Sequence, residues 1–123
     1  MKLIKAIRGA ITVEEDSKAQ IREASVQLIS SISQNNALKD LDIISIYFTL
    51  TPDLKSLNPA TAVRENLNWT NVSMICAQEA FIEGGLPKCI RALLHVYLEE
   101  NQQVKHLYLK EAQSLRNDWC LNL

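Results

Sequence analysis

The chain has 123 residues, a formal net charge of −1 and a hydrophobic content of 47%. These values suit one core-bearing domain spanning 1–123 and argue against a disordered chain. Charges of both signs are interspersed, without the basic block or aromatic-basic stripe that a nucleic-acid partner would call for. No run approaches the roughly 18 apolar residues that cross a bilayer, so no membrane partner is expected. Three cysteines, an odd number, fit a reducing cytoplasmic setting better than a disulfide framework.

Lys2 to Val13 carries Ile4, Ile7, Ile11, Thr12 and Val13 in partial alternation and reads as a strand. Gly9 within it marks a bulge or a close backbone approach. Ser17-Lys18-Ala19-Gln20 has capping-box spacing and opens a helix that runs to about Asn35. Ile21, Ala24, Leu28 and Ile32 recur on it at helical spacing, and Asn35-Asn36 ends it. Leu41 to Leu50 is apolar, β-branched and aromatic, and reads as a second strand buried on both faces. Thr51-Pro52-Asp53 breaks it. Pro59 starts a short helix to Leu67, followed by Trp69 in a turn. Val72 to Cys76 reads as a third strand.

After the Gly84-Gly85 break, Cys89 to Leu98 is an apolar run whose period does not decide between strand and helix. The bulk of Ile90, Leu93, Leu94, Val96 and Tyr97, and the strands around it, favour a strand. Val104 to Leu109 gives a short fifth strand. Leu115 onward reads as irregular, with 116–123 a mobile tail.

The chemistry concentrates between Cys76 and Arg91. Glu79 and Arg91 stand beside apolar runs, where a charge is costly unless something pairs with it; a salt bridge or a ligand would serve. Of the five arginines, Arg22 lies on the first helix, while Arg8, Arg64, Arg91 and Arg116 flank strands, breaks or strand ends. Guanidinium groups capture carboxylates in a planar, bidentate fashion. Several converging on one cleft would suit a small ligand with more than one carboxylate; separate surface salt bridges are the alternative. There is no glycine-rich phosphate loop, no HExxH and no cysteine pair at zinc spacing, so no other catalytic constellation stands out. His95 and His106 lie in apolar patterns and read as structural. Cys76 has no base beside it to make it a nucleophile.

Six segments together carry a family likeness. They are Ala6-Ile7-Arg8-Gly9-Ala10-Ile11-Thr12-Val13, Thr51-Pro52-Asp53-Leu54, Pro59-Ala60-Thr61-Ala62-Val63-Arg64-Glu65, Cys76-Ala77-Gln78-Glu79, Gly84-Gly85-Leu86-Pro87-Lys88-Cys89-Ile90-Arg91 and His106-Leu107-Tyr108-Leu109. In order and near-spacing they resemble the monofunctional chorismate mutases of the AroH class, over essentially the whole chain. The resemblance implies an α+β fold: a mixed β-sheet with helices on one side, three subunits forming a pseudo-α/β barrel with sites between neighbours. It implies the cofactor-free Claisen rearrangement of chorismate to prephenate, on the route to phenylalanine and tyrosine.

The same resemblance implies Arg91 as the cation at the breaking ether bond and Glu79 as the carboxylate that meets the substrate hydroxyl. These two are expected as opposite walls of the site, with the substrate between them. Arg8 and Tyr108 would hold a substrate carboxylate, Cys76 would contact the ring hydroxyl, and Leu115 would join the substrate-binding set. Arg64 and Arg116 would stand at the cleft mouth. Asn58, Thr61 and Ile75 depart from the aromatic, lysine and threonine that many relatives carry there. Two other readings remain: a trimeric enamine or imine deaminase, whose motifs are missing, and a non-catalytic trimer that binds a small carboxylate.

Overall fold

Successive side chains of a strand point to opposite faces of a sheet, so a strand can bury one set of residues and open the other. The structure, a computed structural model, describes residues 1–116. It contains β1 (Lys2–Thr12), α1 (Lys18–Asn35), β2 (Ile43–Leu50), α2 (Pro59–Leu67), β3 (Ser73–Gln78), β4 (Cys89–Glu99) and β5 (Leu107–Leu109), with 3-10 turns at Asp40–Asp42 and Lys110–Leu115. The five strands form one mixed sheet in the order β3-β2-β4-β1-β5. The central strand β4 is antiparallel to β1 and β2, while β3 runs parallel to β2 and β5 parallel to β1.

One face of the sheet holds the core. Ile7 and Ile11 of β1, Ile46 and Phe48 of β2, and Ile90, Leu94 and Val96 of β4 pack against Ile21, Leu28, Ile29 and Ile32 of α1 and Val63 of α2. Both α-helices therefore lie on this side, as an α+β arrangement requires. On the other face, among the described residues, the 3-10 turn at Lys110–Leu115 and Leu86 cover a small cluster of Ala10, Cys89, Tyr108 and Ala112.

Three expectations change. The second strand is not buried on both faces: Tyr47 is 41% exposed, since no described residue covers its side of β2. The fifth strand shrinks to Leu107–Leu109. Leu115, read as irregular, closes a 3-10 turn. The tail beyond Arg116, with Trp119 and Cys120, lies outside the described residues.

The helix ends are set by specific side chains. Ser17 Oγ accepts from the Gln20 N–H at 3.2 Å, half of the expected capping box. The Gln20 side-chain oxygen Oε1 accepts from the N–H groups of Glu14 and Glu15 instead of Ser17, tying the exit of β1 to the start of α1. Asn36, 1% exposed, is satisfied at every polar end. Its amide donates to the carbonyls of Ile32 and Lys105, its side-chain oxygen accepts from the Lys105 N–H, and its carbonyl accepts from Gln102. This fastens the approach to β5 onto the end of α1. Asn58 is the N-cap of α2 and accepts from the Ala60 N–H at 2.8 Å.

Gly9 is a close approach and not a bulge, for the β1–β4 register runs through Gly9–Ala92 without a break. A Cβ at this position would sit 2.9 Å from both Ile32 Cδ1 and the Leu107 carbonyl oxygen. The carbonyl belongs to a strand and cannot yield as a side chain can. Gly9→Ala is therefore expected to cost about 1–3 kcal/mol through overpacking. A urea titration checks it, with a lower midpoint at an unchanged slope as the expected result.

Candidate functional site

β4 decides where the charges go. Its alternation sends Ile90, Ala92, Leu94, Val96 and Leu98 into the core and turns Arg91, Leu93, His95 and Tyr97 to the opposite face. Strand register then lines up the row. Arg91 lies opposite Thr49 on one side and Ala10 on the other; Thr49 lies opposite Ala77, and Ala10 opposite Tyr108. One row of side chains thus crosses all five strands. Ala10 leaves room between Arg91 and Tyr108 because it ends at Cβ. Arg8, from the neighbouring row, joins Arg91, Tyr108, Thr49 and Tyr47 around a cleft of about 230 Å³.

Arg91 is anchored at its neck. Its Nε is buried and lies 2.9 Å from Glu79 Oε1, an ion pair at an angle unsuited to a hydrogen bond. The side chain as a whole is 38% exposed, although its Nε is buried. Glu79 is fixed at both ends. Its N–H donates to the Leu50 carbonyl at 2.7 Å, and its Oε1 accepts from the Thr49 hydroxyl at 2.5 Å. The expectation that Glu79 and Arg91 face each other across a substrate is corrected here: they touch directly. The register brings β4 beside the end of β2, to which Glu79 is bonded, and two opposite charges at that spacing relieve each other's desolvation. A second hollow of about 210 Å³ lies against the same pair, walled by Asp53, Phe81, Ile82 and Leu86.

The start of β4 is pinned by a polar network that reaches back to Thr51-Pro52-Asp53. The Thr51 N–H donates to the Cys89 carbonyl and the Cys89 N–H donates to Thr51 Oγ1, at 3.1 and 3.0 Å. Thr51 Oγ1 in turn donates to Asp53 Oδ1 at 2.6 Å. Both Asp53 oxygens receive the N–H of Lys88, a residue held at φ +50. A non-glycine residue adopts that left-handed backbone only when its surroundings require it. The segment that broke β2 in the sequence thus also sets the entry of β4.

Other groups are chemically quiet. Cys89 is fully buried, and burial pushes its thiol up to about 11. Cys76 is half-buried, and its thiol is likewise raised by burial. His106 Nδ1 accepts the backbone N–H of Arg8 at 2.9 Å. Burial, and then the positive charges of Arg8 and Arg116, hold this imidazole below its ordinary pKa. His95 shares a 3.3 Å hydrogen bond with Ser45 on the open face. Each histidine thus has a hydrogen-bond partner on the sheet. Among the described residues no cluster of three His, Cys, Asp or Glu side chains could hold a metal. No helix there is long and apolar enough to cross a membrane.

Of the residues singled out in the sequence, Arg8, Glu79, Arg91 and Tyr108 come together. Arg116 stands near enough to Arg8 for both to act on His106, and Leu115 packs on the Tyr108 cluster. Cys76 and Arg64 do not join them. Cys76 pairs with Phe48, so it turns to the core side of β3, and Arg64 is an exposed residue near the end of α2. Thr49 was missed. A hydroxyl within the apolar run of β2 was the available signal, but its partner Glu79 lies thirty positions on.

The architecture and the cleft define a class: a small α+β protein with one helix-covered sheet face and an opposite face on which Arg8, Arg91 and Tyr108 surround a cleft. Comparison with known proteins makes this specific. A family model described as chorismate mutase type I matches residues 4–119. The chain is 40% identical over 120 residues to chorismate mutase AroH of Bacillus subtilis (strain 168), covering 97% of this chain and 94% of that one. It is 36% identical over 118 residues to chorismate mutase AroH of Thermus thermophilus, covering 94% and 96%. A solved chorismate mutase from Clostridium thermocellum superposes with a TM-score of 0.85 at 39% identity, over 89% of this chain and 98% of that one. The chain therefore belongs to the type I chorismate mutase family.

His106 makes a prediction about pH. Its folded pKa lies below the ordinary value near 6.5, so as pH falls the unfolded chain takes up the proton first. The stability it contributes is present above about pH 6.5 and is lost as pH falls through the lower folded value. Protonation also removes the acceptor that Nδ1 offers to Arg8. Thermal melts between pH 7.5 and 5 should show the wild type losing more stability on acidification than His106→Asn, which keeps an acceptor but does not titrate.

Proposed function

We propose that this chain catalyses the rearrangement of chorismate to prephenate for aromatic amino acid biosynthesis, as a cytoplasmic homotrimer without a cofactor. Family membership supports the reaction. The observation that carries the mechanism is Arg91: a guanidinium anchored at Nε, 38% exposed, in the middle of a cleft that also holds Arg8 and Tyr108.

The rearrangement is unimolecular. A carbon–carbon bond forms as the ether carbon–oxygen bond breaks, and no proton or nucleophile is needed. Two tasks remain for the protein. It must hold a flexible dianion in a compact chair-like conformer, and it must stabilise the negative charge that grows on the ether oxygen. Arg8 and Tyr108 take the side-chain carboxylate, with Leu115 against the substrate. Glu79 Oε1 is occupied by Arg91 and Thr49, so Oε2 is the oxygen that accepts from the ring hydroxyl. Arg91 reaches the ether oxygen with its terminal nitrogens, and a fixed cation there contributes about 3 kcal/mol or more, since it binds the transition state better than the substrate. Arg116 and Arg64 draw the dianion in.

Cys76 and Arg64 belong to the same site only if a neighbouring subunit brings them. They lie off the face that carries Arg91, so a second copy must present its β3 edge and α2 to that face. The apolar character of the face supports such packing. Ile4, Tyr47, Ile75 and Tyr97 stand on it at 41–63% exposure, a patch of the kind that marks an interface.

The direct test is loss of chorismate matched by appearance of prephenate. Arg91→Ala is expected to lower kcat by about a hundred- to a thousandfold while the protein stays folded. Arg91→Lys should recover part of that, because the charge returns without the planar fork. Normal turnover by Arg91→Ala would overturn the electrostatic role. Sedimentation of the native protein should give a trimer; a dilute, active monomer would overturn the interfacial site.

A further inference from the structure

We propose that Thr49 is a positioning residue of the site: its hydroxyl keeps the Glu79–Arg91 pair in a single-contact geometry that leaves one carboxylate oxygen and the guanidinium tip for the substrate. The inference rests on the function proposed above.

The observations are these. Thr49 and Arg91 are register partners on adjacent strands and point to the same face. The Thr49 hydroxyl donates to Glu79 Oε1, and the same oxygen stands 2.9 Å from Arg91 Nε. Among the described residues Oε2 has no partner. The geometry is not the one a carboxylate and a guanidinium adopt when left to themselves. They prefer a fork, with two parallel contacts between two nitrogens and two oxygens. Such a fork would use Oε2 and a terminal nitrogen of Arg91, the two atoms on which the proposed mechanism depends.

Thr49 prevents this in a simple way. Its hydroxyl pulls Oε1 toward β2, while the Glu79 N–H fixes the base of the side chain to the Leu50 carbonyl. With one oxygen held between two strands and the backbone held as well, the carboxylate has little freedom to turn edge-on to the guanidinium. The hydroxyl itself lies in the row beneath the substrate and acts through Glu79.

Thr49→Val keeps the shape and removes the donor. It is expected to lower kcat/KM about ten- to a hundredfold, the worth of one hydrogen bond to an ionised group, with most of the loss in kcat. Thr49→Ser should recover most of it. The distinguishing measurement is made without Glu79: adding Thr49→Val to Glu79→Ala should change the rate less than about twofold, because the residue through which Thr49 acts is gone. Circular dichroism checks that each variant folds, and Thr49→Ala replaces the valine variant if that one does not. Wild-type rates in Thr49→Val, or an equal loss with and without Glu79, would overturn the assignment. A wild type that consumes no chorismate would instead overturn the function on which it rests.

Discussion

A guanidinium rising from the middle of a β-sheet is an awkward object, and the ion pair between Arg91 and Glu79 is what makes it tolerable. Arg91 sits on the central strand, flanked by two others, where its Nε is removed from water. An unpaired charge in that position would be expelled or would unfold its strand. Glu79 arrives just past the end of β3, bonded to the last residue of β2, and meets Arg91 at its neck. The pairing neutralises the buried part of the side chain without enclosing all of it. A charge that must be both stable and available is solved by dividing one side chain into a buried half and an open half.

Much of the fold exists to keep that division in register. α1 and α2 cover one face and leave the other to Arg8, Arg91 and Tyr108. The Thr51–Asp53–Lys88–Cys89 network sets where β4 begins, and a slip by one residue would turn Arg91 into the core and a leucine or isoleucine out of it. Asn36 holds the approach to β5, and with it the position of Tyr108. The face that carries Arg8, Arg91 and Tyr108 is thus determined by backbone pairing more than by contacts among these residues.

The sequence was most informative where a local rule applies. Both helices begin where Ser17 and Pro59 say they should, and the fourth strand, ambiguous by period, is a strand because its alternate residues are buried. The family likeness named the four residues that share the site. What stayed hidden was relational. That β2 has an open face depends on which layer is missing above it, and no pattern within Ile43–Leu50 reports that. The contact of Glu79 with Arg91, the donor role of Thr49 and the inward turn of Cys76 each depend on pairing between strands far apart in the chain. Asn58 shows the converse: its place in the chain has a complete local explanation as a helix cap.

The pairing of β2 with β4 contains one irregularity, between Ile43 and Ser45, at the end of the strand away from Thr49. A β-bulge of this kind takes up a residue without passing the change along the ladder. Insertions or deletions in the loop after α1 can therefore be absorbed there, while Thr49 stays opposite Arg91. The end of the strand that carries Thr49 is thereby insulated from a change in the length of that loop.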